Sequence, residues 1–210
     1  MYVFLLGVVL ASSFWSWELF SFNLLLFLLA CGLSILLFLS IIKSSRTLLC
    51  IFCLILVPLL VIQYKTTKNA NLSYMSIDEE YLFNTRRSLL LGRYSQNKIT
   101  YMFYKFEQNL LRTIDLNLYF FGNHPRERPG IKEFEKFLFL FLPFFIIGLL
   151  KTLKSHPWQI SLSFLIPVLE LSIIGQDNPV GPFSLYPFFS VMITIGMLYA
   201  IKKVHLSLKL

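Results

Sequence analysis

Long apolar runs separated by short polar breaks constrain this chain more than any other feature. Six runs are present, at residues 2–17, 22–42, 48–64, 137–150, 158–174 and 183–201. About 20 apolar residues cross the roughly 30 Å hydrocarbon core of a bilayer, and most of the runs approach that length. A soluble protein of 210 residues, 56% of them hydrophobic, would have too much surface to hide them. The pattern therefore predicts an all-α, multipass transmembrane helix bundle of about six spans.

The charged residues are unevenly distributed, and their distribution divides the chain. Twenty of the thirty lie between Lys65 and Lys136. We therefore expect three transmembrane helices in residues 1–64, an extracytoplasmic helical segment in residues 65–135, and three further transmembrane helices in residues 136–210. The fourth apolar run is only 14 residues long, between Lys136 and Lys151, so both lysines are expected to snorkel to the interfaces.

Short basic segments indicate the orientation. Lys43 and Arg46 follow span two, Lys151 and Lys154 follow span four, and three lysines follow span six, at Lys202, Lys203 and Lys209. Because short cytoplasmic loops are enriched in Lys and Arg, we expect a plasma-membrane protein with both termini in the cytoplasm. The alternative for residues 1–20 is a cleaved signal peptide, but no Lys or Arg precedes their apolar run.

The polar block has its own helical patterns. Ser76 and Glu79 form a capping-box motif, and Gly92 is placed to end the helix, which predicts a helix over 77–91. An apolar stripe then recurs every three or four residues, at Ile99, Phe103, Phe106, Leu110, Ile114 and Leu118. The residues off this stripe are Lys105, Gln108, Asn109, Arg112 and Asp115. This amphipathic helix is expected to lie along the outer membrane interface or to pack on the bundle. The alternative is a helix buried against its neighbour.

A proline-bounded polar turn precedes span four and holds His124, Arg126 and Arg128. Because the guanidinium group donates to two oxygens at once, these residues are candidates for binding a lipid phosphate. The alternative is a solvated turn whose charges pair with nearby glutamates.

Carboxylates are expected on the same side of the membrane as this turn. Glu170 lies about one helical turn inside span five, and Asp177 lies in the next outer loop. A carboxylate within a span is costly and suggests function, so Glu170 and Asp177 are candidate catalytic acid-base groups. Glu18, at the outer end of span one, is expected on the same side. For Glu170 the alternative is a buried ion pair or a snorkelling side chain.

One family resemblance rests on segments within about residues 100–203. The segments Ile114 to Phe121, Asn123 to Arg128 and Phe134 to Leu149, followed by Asn178-Pro179-Val180-Gly181-Pro182, resemble the loop-to-helix junction and final loop of bacterial C-superfamily membrane glycosyltransferases. The resemblance implies that the chain engages a polyprenyl-phosphate-linked sugar at the outer face of the plasma membrane. Those enzymes carry an acidic pair in the first outer loop, where this chain has only Glu18, so the resemblance implies a truncated or degenerate relative.

Two further hypotheses come from other classes. The chain could be a noncatalytic membrane scaffold or accessory subunit that docks an envelope protein through its amphipathic helix. A transporter subunit is less favoured, since the spans lack paired intramembrane charges. No phosphate-binding glycine loop or His/Cys cluster at metal-ligand spacing is present, so no cofactor and no metal are expected. Membrane lipids are the expected partners, and nucleic acid is not.

Overall fold

We describe a computed structural model of the chain, which covers residues 2–68, 70–73, 75, 77–88, 97–121 and 134–207. Every regular element in these ranges is helical. The α-helices are α1 (Tyr2–Ser12), α2 (Phe14–Phe22), α3 (Leu24–Ile42), α4 (Arg46–Thr66), α5 (Ile77–Ser88), α6 (Lys98–Ile114), α7 (Asn117–Phe120), α8 (Leu142–Ser155), α9 (Pro157–Ile174) and α10 (Tyr186–Ser207). Short 3-10 turns at Phe139–Phe141 and Phe183–Leu185 lead into α8 and α10.

In the described ranges, four segments are long and apolar enough to cross a membrane: α3, α4, α9 and the stretch Phe183–His205. The pair α1 and α2 would add a fifth span if counted together, but the two helices meet at an angle of 73°. The helical class is therefore as predicted, whereas six continuous spans are not observed. The predicted first and fourth spans are the ones that differ.

The predicted first span is broken at Ser13. There the Ser13 hydroxyl and the Trp15 amide both donate to the carbonyl oxygen of Lys136, at 2.9 and 3.2 Å. These two bonds satisfy polar groups that a continuous helix would have satisfied itself. Since the acceptor lies 123 residues away, a local apolar pattern gives no sign of the break.

The predicted fourth span is shorter than its apolar run. The Phe137 amide donates to the carbonyl oxygen of Tyr119 at 2.8 Å, which holds residue 137 outside any helix. The helix α8 begins only at Leu142, where Pro143 occupies the first turn and needs no hydrogen-bond acceptor. It has 14 residues, which at 1.5 Å per residue is about 21 Å.

The helix α10 lies at the centre of the bundle and packs on α1, α3, α8 and α9. Its approach to α8 is close because Gly148 faces the Met192 carbonyl oxygen and Gly196 faces the Phe144 carbonyl oxygen. The helices before residue 65 and after residue 135 thus form one bundle. A group of buried aromatic rings fills one half of it: Trp15, Tyr119, Phe120, Phe137, Phe145, Tyr186, Phe188 and Phe189.

The bundle has two distinct ends. The polar end comprises the Ser13 break, the end of α4, residues 109–119, residues 134–137 and the loop 175–182, which hydrogen bonds connect to one another. The basic end comprises residues 41–46, 151–156 and 199–203, brought together by the Ser44 contact to His156 and by a cavity that Ile42, Lys151 and Lys202 line. The short basic segments predicted to share a side thus lie at one end.

The amphipathic helix α6 packs on α9 through a polar face. Asn109 and Thr113 are its two buried residues, although periodicity places Asn109 off the apolar stripe. The stripe residues Ile99 and Phe103 are 65% and 71% exposed. Of the alternatives drawn from the sequence, packing on the bundle is observed. The start of the apolar stripe is exposed, whereas Leu110 packs against the core.

Candidate functional site

The predicted phosphate-binding residues His124, Arg126 and Arg128 lie outside the described residues, as do Ser76 and Gly92 of the predicted 77–91 helix. The described part of that helix is α5, Ile77–Ser88. The segment that carries the two arginines joins Phe121 to Phe134. Both of these residues lie near the polar end. Phe121 closely follows Tyr119, whose carbonyl oxygen accepts a hydrogen bond from the Phe137 amide, and the Phe134 ring contacts Lys136.

Asp177 lies in the polar-end loop 175–182, with its side chain exposed. Its carbonyl oxygen accepts a hydrogen bond from the Lys68 amide at 3.0 Å, which ties the loop to the end of α4. The loop turns at Gly175 and Gly181, whose φ angles of 80° and 78° favour glycine. Asp177 is therefore a carboxylate on the surface of the protein, and backbone contacts fix the conformation of the loop that carries it.

Glu170 lies four residues before the end of α9, as predicted, and its carboxyl group is half-buried against the Ser184 hydroxyl. Neither Glu170 Oε2 nor Ser184 Oγ has a hydrogen bond of normal geometry among the described residues. Buried polar atoms in this state are uncommon in native proteins and call for an explanation. Glu170 thus faces the 3-10 turn before α10, whereas Asp177 faces outward.

A network of buried amides, not identified from the sequence, supports this region. Gln63, which is fully buried in α4, accepts from the Ser184 amide at 3.2 Å and donates to the Gly181 carbonyl oxygen at 3.3 Å. Asn178 donates to Thr66 Oγ1 at 2.7 Å. The one available signal was an amide within an apolar run, because a buried amide must find partners. Gln63 therefore positions the backbone just before the 3-10 turn that leads into α10, at Gly181, and within it, at Ser184.

A second set of polar contacts attaches α6 to the polar end. Asn109 Nδ2 donates to the Ser172 carbonyl oxygen at 3.2 Å, and Gln176 Nε2 donates to Thr113 Oγ1 at 2.7 Å. The two contacts are four residues apart on both segments. The last turns of α6 therefore run alongside the end of α9 in the same direction.

The sequence predicts that Lys136 snorkels to the interface, but its side chain is buried in the structure. Its side chain is only 3% exposed, lies against the Phe134 ring, and donates from Nζ to the Phe134 carbonyl oxygen at 3.3 Å. A methyl group added to Gly181 would approach Lys136 Cε to 2.9 Å, so the glycine makes room for the lysine stem. The ring and the carbonyl oxygen replace the water that snorkelling would have supplied.

An apolar cleft of about 530 Å³ opens between α1, α2 and α3, and Gly7, Leu10, Trp17, Phe20 and Phe27 contribute to its walls. It lies in the half of the bundle nearer the polar end, because α3 begins there. Glu18 is half-buried on α2. Such a cleft suits a hydrocarbon chain.

The described residues contain no group of three or more His, Cys, Asp or Glu side chains able to hold a metal ion. Comparisons with protein-family models, curated proteins and solved structures gave no match to this chain.

Proposed function

We propose that the chain is a glycosyltransferase-like integral membrane protein that engages a polyprenyl-phosphate-linked sugar at its polar end. The observation that carries the proposal is the convergence there of Glu170, Asp177 and both flanks of the segment that contains the two arginines. In this proposal His124, Arg126 and Arg128 bind the lipid phosphate, because planar guanidinium donors match phosphate oxygens. The sugar would then lie over the loop 175–182.

The two carboxyl groups take different parts in the proposal. Asp177 is exposed and can reach an acceptor hydroxyl, so it is assigned the role of general base. Glu170 is half-buried against Ser184 and can contribute only where the substrate approaches the turn before α10. The isoprenoid chain would occupy the apolar cleft between α1, α2 and α3.

The polar end faces the outside of the plasma membrane in this proposal, with both termini in the cytoplasm. The support is the clustering at the opposite end of the short segments that contain Lys43, Arg46, Lys151, Lys154, Lys202 and Lys203. Such segments favour the cytoplasmic side.

Binding of undecaprenyl phosphate to the purified full-length chain in nanodiscs tests the phosphate site. The double variant Arg126→Ala/Arg128→Ala should weaken binding by about tenfold or more, because each charge-assisted hydrogen bond contributes about 1.5–3 kcal/mol. Arg86→Ala/Arg87→Ala on α5 removes the same charge elsewhere and should leave binding unchanged. Equal losses of lipid binding in the two double variants would mean that the lipid responds only to net positive charge. That result would contradict a specific phosphate site at Arg126 and Arg128.

Transfer of a radiolabelled sugar from its polyprenyl phosphate tests catalysis separately. Asp177→Asn should abolish transfer while lipid binding persists, because the amide cannot accept the acceptor's proton. Lipid binding by the wild-type chain without transfer under any acceptor tested would contradict the enzymatic part of the proposal and leave the lipid site standing.

A second candidate function is a noncatalytic scaffold, and the exposed apolar face of α6 favours it. Ile99, Phe103, Leu111 and Ile114 are 48–71% exposed although the helix is packed on α9. An envelope protein docked there would be released by Ile99→Ser/Phe103→Ser, independently of lipid. The matched control is Tyr81→Ser on α5, a residue that is 71% exposed. Retention of every co-purifying protein by the α6 variant would contradict the scaffold function.

A further inference from the structure

A separate cavity lies at the basic end. It has a volume of about 280 Å³ and lies between the end of α3, the turn between α8 and α9, and the last turns of α10. Lys151, Ser155 and His156 line one side, and Tyr199 and Lys202 line the other. It lies at the opposite end from the proposed sugar-lipid site and does not depend on it.

The charge of this cavity is one-sided. None of its lining residues is acidic, and the three segments of the basic end contain six Lys and Arg residues and no Asp or Glu. The ammonium group of Lys151 lies 5.2 Å from the centre of the Tyr199 ring, which holds it at the rim. An anion is therefore the complementary ligand.

The helix α9 begins beside the cavity, although only the residue before it, His156, is part of the lining. It begins at Pro157, directly after the cavity residue His156, whose side chain makes no capping hydrogen bond. His156 Nδ1 lies 3.4 Å from Ser44 Oγ instead. The amides in the first turn of a helix lack intrahelical acceptors, and the helix dipole favours an anion there.

The inner wall of the cavity is apolar. Ile41, Ile195 and Leu198 line it below the lysines, and Ile42 and Tyr199 are 46% and 41% exposed beside it. A free phosphate ion would leave this wall uncovered, whereas a lipid would place its first acyl methylenes against it. The combination of basic rim and apolar wall between membrane helices is typical of anionic lipid head-group sites.

We propose that this cavity binds the phosphate head group of an anionic membrane lipid. Lys151 and Lys202 bind the phosphate, and the apolar inner wall contacts the acyl chains. Phosphatidylglycerol is the probe, and its binding to the detergent-purified full chain is measured by native mass spectrometry. The wild-type chain should retain phosphatidylglycerol in preference to phosphatidylcholine. The preference should weaken as salt rises, because exposed charges are screened.

Two double variants separate a site from a general field. Lys151→Gln/Lys202→Gln should weaken phosphatidylglycerol binding by about tenfold, as expected for lost charge-assisted hydrogen bonds. Lys154→Gln/Lys203→Gln removes the same charge from the same end but from residues that do not line the cavity, and should change binding by less than about twofold. Lys151→Arg/Lys202→Arg should retain binding, which guards against a folding defect as the cause.

Three results would overturn the proposal. The first is an equal loss in the Lys151/Lys202 and Lys154/Lys203 glutamine variants, which would reflect net charge alone. The second is equal retention of phosphatidylglycerol and phosphatidylcholine by the wild-type chain. The third is inorganic phosphate binding as tightly as phosphatidylglycerol, which would make the ligand a free ion and leave the apolar wall without a role.

Discussion

At the residue scale, Gly148 and Gly196 set the distance between α8 and α10. Each faces a backbone carbonyl oxygen of the other helix, so neither position has space for a side chain. Small residues at such a contact allow two apolar helices to pack backbone to backbone, where dispersion forces contribute to holding them together. This contact therefore positions α8, a helix of only 14 residues, against α10.

Gly148→Ala should therefore lower the free energy of unfolding by about 3 kcal/mol, the upper end of what overpacking costs, because the new methyl group overlaps the Met192 carbonyl. Thermal unfolding in detergent measures the effect. The matched control is Gly32→Ala in α3, where an added Cβ meets nothing within 4 Å. That variant should be neutral or stabilising by up to about 1 kcal/mol, since alanine favours the helix. Similar melting temperatures for the two variants would argue against the close contact.

Tyr119 makes stability sensitive to alkaline pH. It is fully buried and donates to the Thr113 carbonyl oxygen at 2.8 Å, and burial, aided by the charge of Asp115, raises the pKa of Tyr119 well above its usual value near 10. The folded chain thus keeps its proton where the unfolded chain loses it, so this contribution is complete below about pH 10 and declines at higher pH. Tyr119→Phe should flatten the decline in unfolding free energy above pH 10. Identical alkaline profiles would show that Tyr119 ionises freely in the fold.

At the element scale, α6 is an amphipathic helix attached to the bundle through its polar side. Its apolar stripe is visible in the sequence, and its existence and approximate limits follow from that. The face that packs does not, because Asn109 and Thr113 bind the Ser172 carbonyl oxygen and Gln176, groups more than sixty residues away. Periodicity reports which side chains avoid water. It does not report which neighbour receives them.

Asn109→Ala should loosen α6 from α9 by about 1–2 kcal/mol, since the buried Ser172 carbonyl oxygen loses this donor. Hydrogen exchange of the α6 amides should accelerate accordingly, while exchange in α10 stays unchanged. Ile99→Ala, on the exposed face of the same helix, serves as the control and should leave α6 protection as it is. Faster exchange in the Ile99 variant than in the Asn109 variant would contradict the claim that α6 packs on α9 through Asn109.

The break between α1 and α2 shows the same limit of sequence reasoning. Residues 2–17 read as one apolar run, and only the Lys136 carbonyl oxygen explains why the helix ends at Ser12. Pro143, by contrast, is a local signal, and it marks the first turn of α8. Local signals therefore located the helices, and distant hydrogen bonds decided where two of them are interrupted.

At the scale of the whole molecule, the helices alternate between two ends of different chemistry. The basic end carries six cations in three short segments, and the polar end gathers buried amides, Lys136 and the loop 175–182. The sequence predicts the basic grouping well because the charges are adjacent to apolar runs. It predicts the polar end poorly, because Gln63 and Asn178 bind residues more than one hundred positions away in the sequence.

The central claim is that these two ends face opposite sides of a membrane, with the polar end outside. Its most direct test uses single cysteines in a chain lacking Cys31, Cys50 and Cys53, placed at the exposed positions Asp177 and Ser155. Intact cells are treated with an impermeant thiol reagent. The claim predicts labelling of Asp177→Cys at once and of Ser155→Cys only after permeabilisation. Labelling of both from outside would contradict the claim that the ends lie on opposite sides, and the reverse pattern would contradict the orientation.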